Sequence, residues 1–484
     1  MQSILFILVP AIPLGLGVWF LFTRRFRAAE VMAGLVLSFA AMIALAVTGD
    51  GMQTLFTVAP GVTFVFRSDG AGRLFALLFS GVFMAAGFYA LTYFKHEINP
   101  ARFFAFYFFS LFALESLCMA GSLLTMYLCF ETLTLCSFPM VLYDRSREAV
   151  AAGIKYLLYS IAGAMMGLFG VIYLTLHTTS STFVAGGSLE AELLGNPPAL
   201  LLIALFVCII GFGTKAGLFP MHGWLPTAHP IAPTPASAVL SGVIVNAGVL
   251  CIFRVIYFAA GTEALRGTWV QTALLSLSLL TVLIGSAQAL RQKHIKRRLA
   301  YSTVSQISYI LFGLFLLEST AAEGALLHTV FHSVMKTSLF LCAGALIMYG
   351  GTADVDEMRG IGKKMPVTMW SFAIAGVGLV GIPPMSGFLS KWVLAQGAVQ
   401  SGMPVFYWLG PVVLLVSALL TAGYIAPVVL GAFFPGEQEI STRAKRAPVG
   451  MLAPLGVLAA LSLLFGLYSV PLRNAIDTVL NTLF

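Results

Sequence analysis

Residues 211–235 read GFGTKAGLFPMHGWLPTAHPIAPTP, and they set Lys215 and several helix breakers inside an apolar span. An ionised side chain at mid-bilayer costs roughly 2.5–3.5 kcal/mol on insertion scales, so such residues face a bundle interior or a hydrated path. Gly217, Pro220, Gly223 and Pro226 follow closely. They free backbone groups that, at membrane depth, only protein or water can satisfy. The stretch predicts a discontinuous helix lining a cavity, with Lys215 as the first functional suspect.

The composition around it agrees. Of 484 residues, 59% are hydrophobic and 10% charged, with a mean hydropathy of +0.95. This excludes an ordinary soluble domain and predicts an all-α polytopic membrane protein. About fourteen apolar stretches reach spanning length by the rule of roughly 20 residues per helix. They lie near 3–22, 29–48, 73–94, 101–120, 122–143, 151–176, 199–228, 236–258, 269–290, 298–317, 323–349, 367–395, 409–433 and 450–468. The first is long enough to span and precedes Arg24, Arg25 and Arg27, so it reads as a retained helix rather than a cleaved targeting sequence.

Charge gives the orientation. Of the 27 Lys and Arg, 19 fall in connections after odd-numbered spans, and only Arg67, Arg73, Arg266 and Arg473 fall on the opposite side. Lys215, Arg254, Lys336 and Lys391 lie inside spans. The positive-inside rule then places both termini on the non-cytoplasmic side of the cell's inner (plasma) membrane. The same bias accounts for the net charge of +8 without a nucleic-acid partner. The most basic connection, RQKHIKRR at 291–298, reads as a topology determinant meeting anionic lipid, with docking of a cytoplasmic partner as the alternative.

A second interrupted span, GIPPMSGFLSKW at 381–392, carries Lys391 and falls five helices after the first. Because five is odd, helices 4–8 repeated as helices 9–13 enter the membrane from the opposite side, which is an inverted repeat. The expected organisation is three N-terminal helices (1–100), a five-helix unit (101–260), its inverted counterpart (261–434) and a fourteenth helix (435–484). Helices 7 and 12 are the broken ones.

Several residues in these spans suit proton chemistry. Glu115 and Glu131 lie in the fourth and fifth spans and call for cationic partners. Lys215 is available to Glu131; the bland reading of such a pair is an ion pair fixing helix packing. His328, His332 and Lys336 stand at i, i+4 and i+8, along one helix face. They read as a proton relay, as packing histidines, or as a metal site lacking a third ligand. His222 and His229 flank Trp224 and Pro226, where helix-end hydrogen bonding competes with proton entry. Lys155 opens the sixth span and is a further candidate for uptake. Desolvation loosens a lysine's hold on its proton and a neighbouring carboxylate restores it, so Glu131, Lys215, His332, Lys336 and Lys391 could pass protons laterally through bridging water. The six cysteines, Cys118, Cys129, Cys136, Cys208, Cys251 and Cys342, have no zinc or cluster spacing and read as packing residues. No nucleotide loop, haem or flavin motif is present, so neither cofactor nor metal is expected in this chain.

KAGLFPMHGWLPTAHPIAPTPASAVLSG, HSVMKTSLFLCAG and GIPPMSGFLSKW together resemble the antiporter-like subunits of respiratory complex I, membrane-bound hydrogenases and multisubunit sodium/proton antiporters. The resemblance runs over about helices 4–13. It implies that Glu131 is the fifth-helix glutamate paired with Lys215, that Lys336 and Lys391 are the later lysines, and that Lys391 stands at the exit. His332 lies in the motif one turn before Lys336, and Glu115 carries over in the fourth helix. One position departs: the family commonly has a lysine in the eighth helix, where SGVIVNAGVLCIFR carries Asn246. In one complex I subunit the exit residue is a glutamate, so Lys391 leans toward the other branches. About sixteen residues follow the fourteenth span, so the long lateral helix of the largest subunit is not expected.

The resemblance implies a proton-translocating subunit of a redox-driven pump of the NADH dehydrogenase or hydrogenase type. Its partners would be other membrane subunits, peripheral subunits carrying iron–sulfur clusters, and lipid. The alternatives are a gradient-driven component of a multisubunit sodium/proton antiporter, and a passive membrane scaffold.

Overall fold

A computed structural model describes residues 2–59, 62–95, 99–195, 197–436 and 444–484. The chain is mostly helical, and each of the fourteen expected apolar stretches contains helix. In order these are α1 (Gln2–Thr23), α2 (Ala28–Val47), α3 (Gly70–Tyr93), α4 (Pro100–Cys118), α5 (Leu123–Val141), α6 (Arg147–His177), α7a (Ala199–Ala216) with α7b (Leu225–Ile231), α8 (Thr234–Ala260) and α9 (Trp269–Arg291). There follow α10 (Ile295–Phe315), α11 (Ser319–Gly350), α12a (Pro366–Val380) with α12b (Ser386–Gln400), α13 (Phe406–Phe433) and α14 (Val449–Leu467). Among the described residues, twelve helices are by themselves long and apolar enough to cross a membrane. The other two stretches are α10, whose first turn carries Lys296, Arg297 and Arg298, and α12, whose halves are each too short.

Local chemistry sets the helix ends. Asp69, Ser122, Ser146, Thr268 and Glu318 each accept from a backbone N–H in the first turn of α3, α5, α6, α9 and α11. α7a and α12a stop at Gly217 (φ +78°) and Gly381 (φ +90°), left-handed positions at which glycine costs least. Both breaks are therefore capped turns. In each, a cis X–Pro bond follows, at Phe219–Pro220 and Pro383–Pro384.

The bundle is layered about α8 and α11. Every residue of α8 is buried and nearly all of α11, against a third of α1, α2 and α14, which turn residues such as Ile4, Phe22 and Leu464 outward. That is the pattern of a protein whose solvent is lipid. α8 includes two π-turns, Leu240–Ile244 and Val255–Ala260, which widen the helix on either side of Asn246 and Arg254.

Two elements go beyond the sequence reading. An antiparallel hairpin, β1 (Gly51–Ala59) and β2 (Val62–Ser68), joins α2 to α3. An amphipathic helix, α15 (Val470–Leu480), follows α14 and buries Ile476, Val479 and Leu480. Both lie on one face with the loop after α6: β2 bridges to Ala120 between α4 and α5, Phe183 N–H donates to Gly121, and Val184 N–H donates to Phe258 at the end of α8. The opposite face is tied by His294 to Asp354, Gly360 to Gly431 and Lys445 to Tyr349.

Candidate functional site

Lys215 lies in the last turn of α7a and is 2% exposed. Its Nζ donates to Thr134 Oγ1 at 2.7 Å and Tyr156 OH at 3.4 Å, and stands 4.9 Å from the Phe130 ring centroid. The Tyr156 hydroxyl continues to Ser137 Oγ at 2.7 Å. Trp224 Nε1 donates to Thr214 O at 2.9 Å, and Lys155 Nζ donates to Thr227 Oγ1 at 2.9 Å, so α6 and α7b hold the break in shape.

The expected direct pair with Glu131 is not formed. Lys215 reaches α5 one turn beyond Glu131, where two hydroxyls and an aromatic face satisfy it. Glu131 is half-buried, and its Oε1 has no hydrogen-bond partner among the described residues. Glu115 is fully buried and apart from both: Ser80 Oγ donates to its Oε1 at 2.8 Å, while Oε2 is unpartnered.

α11 carries the next group. Lys336 Nζ donates to Leu299 O at 3.1 Å and closely approaches Ser302 Oγ, both on α10. His332, one turn earlier, is fully buried, and neither ring nitrogen is bonded among the described residues. His328 lies a turn further, its ring centroid 6.4 Å from that of His332. Its Nδ1 bonds Ser390 Oγ at 2.8 Å and its Nε2 meets Gln306 Oε1 at 3.2 Å. Among the described residues no group of three or more His, Cys, Asp or Glu is gathered as a metal site requires.

Ser390 hands this group to Lys391. The Nζ of Lys391 donates to Leu379 O at 2.7 Å and Val380 O at 3.0 Å, the open carbonyl end of α12a. It also stands 5.0 Å from the Tyr309 ring centroid, and Tyr309 stacks on His328 at 5.6 Å. Lys391 is partly exposed. The two break lysines start on opposite sides of their glycines, Lys215 before and Lys391 after. Lys391 reaches back to the carbonyl end of α12a, whereas Lys215 reaches across to α5 and α6.

Other polar residues stand near these groups: His222, His229 and Asn246, which the sequence marks, and Lys296, which it does not single out. His229 on α7b is fully buried against Phe340 at 4.8 Å, with both ring nitrogens unpartnered among the described residues. Lys296, within the basic connection, is 5% exposed and donates to Ala232 O at 3.0 Å. Periodicity holds the clue: Lys296 shares a helix face with Leu299, Ala300 and Thr303, all buried, and not with Arg297. Asn246 Nδ2 donates to Gly242 O at 2.8 Å and Ser333 Oγ at 2.9 Å, and its Oδ1 is unpartnered. His222 sits in the first break, half-buried over Phe219, with Nδ1 unpartnered.

Arg254 has a different role. It grips Asp69 through two 2.7 Å hydrogen bonds, with Phe258 4.5 Å and Phe183 5.3 Å from its guanidinium. Arg67 adds a 3.2 Å contact to the same carboxylate. Burial alone would raise the Asp69 carboxyl, but the Arg254 charge and hydrogen bonds, the Gly72 N–H and Arg67 together hold it down at about 2. This cluster joins the hairpin, α3, the loop after α6 and α8, and belongs to the architecture.

Two broken helices with lysines at their breaks, and a polar file on α10 and α11 beside the second, invite comparison with known proteins. Residues 120–421 match the family described as NADH:quinone oxidoreductase/Mrp antiporter, transmembrane. The chain belongs to that family. It is 32% identical over 431 residues to NADH-quinone oxidoreductase subunit N of Desulforudis audaxviator, covering 88% of this chain and 84% of that one. It is 27% identical over 473 residues to a Na(+)/H(+) antiporter subunit of Bacillus subtilis, covering 95% and 92%. Its fold matches a chain of the Mrp complex from Dietzia sp. with a TM-score of 0.87 at 20% identity, over 100% and 97% of the two chains. The chain is thus an antiporter-type membrane subunit, and the broken-helix lysines are to be read in that setting.

Proposed function

We propose that the chain is the proton-translocating membrane subunit of a complex I-like redox-driven pump, with other membrane subunits beside it and peripheral iron–sulfur subunits supplying the electrons. The observation that carries this is the file of ionisable and hydroxyl groups, all but Lys391 buried, that runs from Lys336 past His332 and His328 to Ser390 and Lys391, with His332 hydrogen-bonded to neither neighbour. Glu131, His229, His332, Asn246 and Gln306 each carry a buried side-chain atom with no hydrogen-bond partner among the described residues. Buried polar atoms are normally bonded, and water supplies the partner where protein does not.

In this reading Glu131 and Lys215 form the entry pair, separated by one helical turn that closes when Lys215 swings from Thr134. His222 and Lys155 serve the approach from the first break, and Glu115 is a reserve carboxylate against α3. His229 and Lys296 lead to Lys336. A proton held on Lys336 passes by His332 and His328, and Lys391 releases it at the second break. Helices 4–8 and 9–13 form two inverted units, and the membrane is the cell's inner membrane with both termini non-cytoplasmic. The parity of the two tied faces supports that topology.

The second reading, a gradient-driven sodium/proton antiporter component, is favoured by the larger share of both chains covered in the match to the Bacillus subtilis antiporter protein. A passive scaffold has no need of the buried lysines. Purified complex in proteoliposomes separates the readings. Redox turnover with dye-detected acidification, insensitive to sodium, is expected; exchange without redox partners supports the antiporter. In Lys215→Ala, acidification should be abolished while the complex still assembles on native gels. Full pumping in that variant would remove Lys215 from the path.

A further inference from the structure

We propose that a groove between α3, α11 and α14 binds one acyl chain of a membrane phospholipid, with its headgroup at Arg473. The cavity measures about 540 Å³, and every residue on its wall is apolar. Leu74, Leu78 and Ala85 form one side, Val330 and Val334 the floor, and Leu461 the other side. The floor is well inside the protein, since Val330 and Val334 are only 5% and 4% exposed.

Its length selects a leaflet. From Leu74 to Ala85, α3 rises about 16 Å at 1.5 Å per residue. Half of a hydrocarbon core roughly 30 Å thick is about 15 Å. Because Leu74 is one turn from the start of α3 at Gly70, the groove runs from a membrane face to the middle of the bilayer.

Its reach favours the occupant. The groove covers one leaflet, which is the span of a single acyl chain, whereas a transmembrane helix of another subunit would cross both, and a cavity of about 540 Å³ accommodates a polymethylene chain.

The face end carries the matching charge. Leu472 and Ala475 of α15 close the groove there. Between them in sequence stands Arg473, whose side chain is 42% exposed and whose Nε donates to Glu323 Oε1 at 2.7 Å. Glu323 precedes Val330 by two turns on the same stripe of α11, so the ion pair sits over the groove's outer end. A guanidinium has five N–H donors, and it can hold Glu323 and a phosphate together. An amphipathic helix lying at the membrane face is the expected place for such a contact.

The test is photo-cross-linking of the whole complex in nanodiscs, using a phosphatidylglycerol with a diazirine on one acyl chain. Labelled peptides covering 74–85 and 457–465 are expected. Gly81→Leu should abolish that labelling and leave labelling of α1 unchanged, because a Cβ at Gly81 meets only the Phe39 ring, at an ordinary 3.5 Å, and the rest of the side chain enters the groove. Val457→Trp, at the 56% exposed rim, offers a second block should the first variant fail to assemble. Arg473→Gln should reduce labelling by the anionic lipid more than by its phosphatidylcholine counterpart. Undiminished labelling in both blocked variants would overturn the proposal, as would cross-links from these residues to another subunit.

Discussion

Asn246 stands where the resemblance implies an ionisable group in the eighth helix, and its surroundings show what an amide does there. It bonds Ser333 Oγ, the neighbour of His332, so it orders the middle of the polar file without carrying charge. In the sequence, Arg254 stands close enough to Asn246 to repel a lysine placed there. The structure removes most of that repulsion, since Arg254 lies two turns away and is neutralised by Asp69. Asn246→Lys should therefore assemble; failure to assemble on native gels would show that the pocket tolerates only a neutral group. Asp69 itself carries a pH prediction. Its folded pKa of about 2 lies below the ordinary 3.8, so its contribution is present above pH 3.8 and is lost as pH falls through 2. The shift corresponds to about 2 kcal/mol. Thermal melts in detergent should show that acid-side loss in the native chain. Asp69→Asn should lower stability at neutral pH by about 3–5 kcal/mol, by stranding Arg254, and should flatten the loss between pH 4 and 2. An unchanged melting point would show the cluster to be dispensable.

At the scale of elements, both breaks are legible in the sequence because glycine and proline inside apolar runs have few other uses at membrane depth. Where each lysine ends is not legible. Charge alone pairs Lys215 with Glu131, yet hydroxyls from α5 and α6 hold it, and no spacing in the sequence brings Tyr156 beside it. Lys296 sits among arginines and so reads as part of a solvated loop, although its buried helical face is there in the periodicity. The hairpin alternates Thr, Val and Phe on either side of Pro60 and Gly61, residues outside those described, but its strands are too short to register as spans. Lys391 shows the use of a break most directly. Its ammonium caps the carbonyls of α12a, where the helix dipole favours a cation. Lys391→Met keeps much of the length and removes the titratable group. Proton translocation in proteoliposomes should fall sharply while redox turnover stays partly active, and an unchanged proton-to-electron ratio would make Lys391 structural.

For the whole molecule, the connections sort into two sets that contact only within themselves at the points described above. The hairpin, the loop after α6 and the end of α8 share one face; the connections after α9, α11 and α13 share the other. Charge follows the same division, which is what the positive-inside rule requires if the second face is cytoplasmic. Single-cysteine labelling decides it. The native thiols make a quiet background, because five are buried and Cys136 is half-buried. Lys293, whose side chain is 73% exposed in a surface pair with Asp356, and Glu190, 48% exposed in the loop after α6, are suitable sites on opposite faces. An exposed pair contributes little to stability, so neither substitution should disturb the fold. In right-side-out vesicles a membrane-impermeant maleimide should label Glu190→Cys and spare Lys293→Cys, and inverted vesicles should reverse the pattern. Labelling of both from one side would break the alternation on which the proposed inverted repeat depends, and reversal of the two would turn the proposed proton path to run the other way across the membrane.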